Sequence, residues 1–147
     1  MALNTEMKLI TYISLVLLSS CAAIAKPLDS SGIPSSVNKI DTFRVNNNLV
    51  RVIKHNMELA PILEFELFHP PEMKQLDYLK IEGVTVSGRY YDFKKSEGVF
   101  IDSIELMGST IDFKIDYYVP KGSEIIIECK LLVSEAKLSQ ATCELSK

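Results

Sequence analysis

The chain has no tryptophan, two histidines and three cysteines, and each shortage closes off a kind of chemistry. A zinc site takes three or four nitrogen, sulfur or carboxylate ligands, usually with two of them close in sequence. His55 and His69 are well separated, and neither His-x-His nor His-Glu-x-x-His occurs. The acids near them, Glu58, Glu64 and Glu72, read as solvated strand or helix positions. No glycine-rich phosphate loop is present, and Ser87-Gly88 lacks the preceding glycine of a nucleophile elbow. Asp112 and Asp116 share a strand face, but it is the polar one, whereas glycosidic chemistry needs carboxylates held across a cleft. Neither metal, cofactor nor enzyme activity is expected. The largest basic cluster is Lys94-Lys95 and the net charge is −3, which speaks against a nucleic-acid partner.

Long apolar runs are scarce too, and the one that exists lies at the N-terminus. Lys8 is followed by an apolar stretch from Leu9 to Leu18 and then by small residues ending Ala23-Ile24-Ala25. That is the pattern of an export signal cleaved before Lys26, with Met7 as a better start than the acidic, polar segment before it. Spanning a bilayer takes about 20 apolar residues, more than this segment supplies. Residues 1–25 are therefore expected to be a signal peptide. Leu18-Ser19-Ser20-Cys21 also resembles the lipobox of bacterial lipoproteins. That resemblance implies lipidation at Cys21 and, with Ala22 after it, an outer-membrane destination. Either route removes Cys21 from the free thiols and leaves an even pair, Cys129 and Cys143.

What is abundant is alternation. Four strands are expected in the last fifty residues: Val99 to Met107, Thr110 to Val119, Glu124 to Val133 and Leu138 to Leu145. In the second, Ile111, Phe113, Ile115 and Tyr117 oppose Thr110, Asp112, Lys114 and Asp116, as one buried sheet face requires. A turn at Glu135-Ala136-Lys137 that sets Val133 opposite Ser139 brings Leu131 to Ala141 and Cys129 to Cys143. Directly opposed side chains stand about 4.5–5.5 Å apart at Cβ, near the upper end of what a disulfide accepts, so a bridge needs some local tightening, and an exported protein meets an oxidising compartment. Gly108-Ser109 fits a two-residue turn, pairing Leu106 with Ile111, Ile104 with Phe113 and Asp102 with Ile115.

Upstream, residues 26–38 carry prolines, serines and a glycine and are expected to be a disordered lead-in. Residues 39–147 are then the domain. Strands are expected at Ile40 to Val45, Leu49 to His55 and Ile62 to Phe68, the last ended by His69-Pro70-Pro71. Pro71, Glu72 and the spacing of Met73, Leu76 and Leu79 predict one short helix, stopped near Gly83; the competing pattern is a loop running into a strand at Tyr78 to Ile81. Val84 to Phe93 is expected to be one strand, with a bulge or close approach at Gly88. The sum is an all-β, mainly antiparallel domain: a β-sandwich or small barrel of seven to eight strands with one helix.

Three residues stand out as site candidates. The register above turns Asp102 toward the core beside Phe100, Ile104 and Leu106, making it a candidate pocket acid unless a bulge turns it to solvent. Tyr91 and Tyr118 are expected to stand outward as a binding surface, extended by Val99 if it pairs with Tyr118, unless another layer covers them. The functional expectation is an exported, non-catalytic binding module, secreted or periplasmic, whose partner is a protein or surface glycan. Alternatives are an outer-membrane lipoprotein scaffold held to the membrane only by lipid at Cys21, and a carrier of small apolar ligands.

Overall fold

The computed structural model describes residues 34–146. The signal peptide, Cys21 and most of the lead-in fall outside them. All regular structure is antiparallel strand, in three sheets of which none closes on itself, apart from one 3-10 turn at Phe93–Lys95.

The first sheet is a meander of β1 (Val37–Val45), β2 (Asn48–His55), β3 (Leu63–His69) and β4 (Lys74–Ile81), in that order. β1 begins inside the stretch expected to be disordered. Asn46 takes the positive φ (53°) that its two-residue hairpin needs, a conformation asparagine tolerates. Val50, Val52, Leu63, Phe65 and Leu67 present one alternating face that is essentially fully buried.

The expected helix at 71–81 is instead β4. Met73 sits at φ 52°, outside the helical region, and it is half exposed. The strand places Leu79 opposite Phe65 and Ile81 opposite Leu63, so pairing with β3 satisfies backbone groups that a helix would leave unpaired on that edge. Helical spacing of Met73, Leu76 and Leu79 loses to an available sheet edge. The expected strand at 84–93 also divides. Ser87 and Gly88, at φ 49° and 82°, turn the chain between β5 (Gly83–Val86) and β6 (Arg89–Asp92), which form their own two-stranded sheet. Two consecutive positive φ values are the signature of a tight hairpin, not of a bulge. Among the described residues the hairpin and β4 add strands to those the alternation marks.

β7 (Gly98–Met107), β8 (Thr110–Val119), β9 (Ser123–Leu132) and β10 (Thr142–Leu145) form the remaining sheet, in the order β10-β9-β8-β7. Leu106 meets Ile111, Ile104 meets Phe113 and Cys129 meets Cys143, all at the expected register. Cys129 and Cys143 are disulfide-bonded across the pair, with Cα atoms 4.1 Å apart. Before β10 the register slips by one: Val133 bridges Leu138 instead of Ser139, because Leu138 buries its side chain.

The two larger sheets contribute to one hydrophobic cluster, with Phe65 against Phe113 at 5.7 Å between ring centroids. Lys54 Nζ donates to the Ile101 carbonyl at 3.2 Å, and the Leu138 amide donates to Asp77 Oδ2 at 2.8 Å. Buried Asn48 donates to the Glu135 carbonyl while its own Oδ1 stands 3.0 Å from His69 Nδ1.

The bridge closes a 14-residue separation, so replacing both Cys129 and Cys143 by serine is expected to cost about 2–4 kcal/mol of stability. Urea denaturation checks this: the midpoint should fall, and the slope should if anything steepen as the unfolded chain is released from its cross-link. An unchanged midpoint would mean that the meander holds without its cross-link.

Candidate functional site

One residue decides what β7 shows to solvent. Ser103 adopts a positive φ of 32° and is skipped in the ladder, so that Asp102 pairs with Lys114 and Ile104 with Phe113. An extra residue in one strand of a pair reverses the inward and outward phase on either side of it. Beyond the bulge Ile104 and Leu106 pack on the core; before it Val99 and Ile101 do, and Phe100 is turned out and 52% exposed. Asp102 is thereby an exposed side chain opposite Lys114 and not a pocket acid.

Phe100 does not stand alone. Gly98 pairs with Tyr118 and Val99 with Tyr117, which sets Phe100 diagonal to Tyr118 on the outer face. Their rings meet edge to face at 5.8 Å and 88°, a favoured aromatic geometry. Val99 faces the core rather than extending this patch, because its partner is Tyr117. Between the two rings Gly98 has no side chain, and a Cβ there would lie 3.6–3.7 Å from both.

This pair forms one end of an open groove of about 660 Å³. Met57, Glu58 and Pro61, from the connection between β2 and β3, form one wall; Lys94, Ser96 and Glu97, after β6, form another. The second wall is fixed from below. The Asp92 carboxylate accepts from the Lys94 amide at 3.0 Å, the Ser96 hydroxyl donates to the Phe93 carbonyl at 2.7 Å, and the Glu97 amide donates to the Tyr118 carbonyl at 2.9 Å. Lys94 is tied to Glu82 at 2.9 Å, whereas Glu58 and Glu97 form no ion pair among the described residues.

The Tyr118 hydroxyl donates to Glu124 Oε1 at 2.7 Å. That hydrogen bond, then partial desolvation, then the negative charges of Glu124, Asp116 and Asp102 hold the phenol above its ordinary pKa. Tyr117 is raised as well, chiefly by burial and then by Asp92, with Arg89 opposing.

The second expected contact residue, Tyr91, lies in the core. It pairs with Val84 and packs edge to face on Tyr117 at 5.3 Å. The hairpin turn at Ser87-Gly88 leaves Tyr90, 59% exposed, as the outward ring. Tyr90 lies across Gly83, where an added Cβ would come within 2.6 Å of the Tyr91 carbonyl oxygen, so the close approach of these strands requires glycine.

A polar cluster that the sequence pattern does not announce joins Ser36, His55 and Glu64. Ser36 Oγ is 2.9 Å from His55 Nδ1, and Glu64 Oε1 is 3.4 Å from Nε2, which has no well-formed hydrogen bond. The residue types match a nucleophile, a base and an acid. His55 is buried, however, and none of the three lines the groove or the smaller cavities. The cluster ties the start of β1 to β2 and β3. Tyr78 beside it is raised in pKa by burial, then by the charge and hydrogen bond of Glu64. Among the described residues no group of three His, Cys, Asp or Glu side chains converges as a metal site would.

No protein-family model, curated protein or solved structure matches the chain.

A raised tyrosine pKa favours the folded state while the phenol is protonated. That contribution is complete below pH about 10, the unfolded value, and is lost as pH rises through the higher folded value. In absorbance titrations, Glu124→Gln should let Tyr118 ionise at lower pH, assigned by difference against Tyr118→Phe. Identical titration curves would remove Glu124 as the cause.

Proposed function

We propose that this chain is an exported, non-catalytic binding module whose contact surface is the groove closed by Phe100 and Tyr118. The observation that carries this reading is the aromatic pair itself, an exposed Phe100 against a partly buried Tyr118. A half-exposed phenylalanine costs hydration free energy, and here a bulge turns it out of the core into a concavity wide enough for several side chains. Aromatic residues in grooves of this kind are the usual anchors of protein contacts.

The architecture that carries the groove is a β-sandwich of two four-stranded sheets, flanked by the short hairpin of β5 and β6. The shared cluster and the Phe65–Phe113 contact support that description. The same filled centre weighs against an interior carrier of apolar ligands, which would need an enclosed cavity of several hundred cubic ångströms. Export is supported by the leader pattern of residues 7–25 and by the disulfide, which is compatible with an oxidising compartment outside the cytoplasm. Lipidation at Cys21 would add a tether to the same module without changing its contact surface.

Photo-crosslinking tests the location of the surface. A benzoylphenylalanine replacing Phe100 should give a discrete adduct in the compartment to which the protein is exported. The same group at Thr42, exposed on the first sheet, should give none. Equal adducts from both positions, or none from position 100, would contradict the assignment.

A further inference from the structure

We infer that the groove selects a cationic side chain, an arginine or lysine presented by an extended segment of a partner protein. The inference rests on the proposed role of the groove as the contact surface. Two features combine. Phe100 and Tyr118 line one end as an edge-to-face pair, and a ring face left open to the groove attracts a guanidinium or ammonium group within about 6 Å of its centre. Carboxylates outnumber the ammonium groups around them. Glu58 and Glu97 line the groove, Glu124 accepts from the Tyr118 hydroxyl, and Asp116 is the ladder partner of Phe100. The lysines that approach are already engaged, Lys94 by Glu82 at 2.9 Å and Lys114 by Asp116 at 3.2 Å.

A carboxylate-bearing segment would be repelled by that field, and a neutral apolar one would leave it unused. A long cationic side chain satisfies both parts, laying its methylene stem along Met57 and Pro61 while its head meets the rings and the glutamates. The groove is open to solvent, which leaves room for the flanking residues of a peptide, and its volume exceeds what one side chain fills. A neutral sugar could stack on the same rings and donate hydroxyls to the carboxylates, but it carries no positive charge to offset them.

The test uses the whole exported chain, isotope-labelled and with its disulfide intact, titrated with three probes: N-acetylarginine methylamide, N-acetylnorleucine methylamide and glucose. The arginine probe should shift the amides of Gly98, Phe100 and Tyr118 at the lowest concentration. Glu97→Gln should weaken that binding about two- to five-fold. Phe100→Leu, which keeps an apolar side chain but removes the ring, should weaken the arginine probe by a similar factor and leave norleucine unchanged. Norleucine binding as tightly as arginine would overturn the cationic preference while leaving the groove as a contact surface. Glucose shifting these amides in preference to both would replace the protein partner by a glycan. No shift in the groove with any probe would defeat this inference and the contact surface together.

Discussion

The apolar residues of the two four-stranded sheets leave water in one shared cluster, in which Phe65 meets Phe113 and the hairpin of β5 and β6 adds Val84, Val86 and Tyr91. Everything else is arranged so that each strand keeps its apolar residues on that side. β2, β3, β8 and β9 are the interior strands of their sheets and supply the fully buried side chains, Val50, Leu63, Phe65, Leu67, Ile111, Ile115, Ile127 and Leu131. Burial on this scale is the main favourable term in folding, and it fixes register strictly, since a slip of one residue would turn a whole face to solvent.

The groove follows from the same constraint. β7 carries its apolar residues in two phases, Val99 and Ile101 first, Ile104 and Leu106 later. A regular strand could bury only one set. The extra residue at Ser103 lets both point inward, and the consequence is that Phe100 points out. Tyr118 stands outward for the complementary reason: β8 is unbroken, and its strict alternation buries Tyr117. An outward aromatic pair thus arises where a bulged strand lies beside a regular one. The connection between β2 and β3 and the 3-10 turn then wall it in.

The closing meander was legible in the sequence because its alternation is long, its turns are short, and its cysteines fall opposite one another. The strands of the first sheet were legible for similar reasons, except β4. There Leu76 and Leu79 satisfy helical and extended patterns about equally, and only the edge of β3 decides between them. The bulge was harder to place. Asp102 between Ile101 and Ile104 signals an irregularity, and a bulge that turns it to solvent is the reading its charge favours, but the sequence does not say that Ser103 absorbs it, so the outward phase of Phe100 stays hidden. Tyr91 was misplaced because reading residues 84–93 as one strand missed the turn at Ser87-Gly88. Ser36 and His55 could not have been joined from sequence, because the chain preceding β1 carries no periodic signal and the two lie 19 residues apart.

The most direct test of the shared core is a double-mutant cycle on the two rings that join the sheets. Phe65→Leu, Phe113→Leu and the double variant are compared by urea denaturation, with the disulfide intact in all. The two substitutions should couple by about 0.5–1.5 kcal/mol, the strength of an aromatic pair beyond its buried area. Additivity within about 0.3–0.5 kcal/mol, the behaviour of distant sites, would show that the sheets do not meet at these side chains.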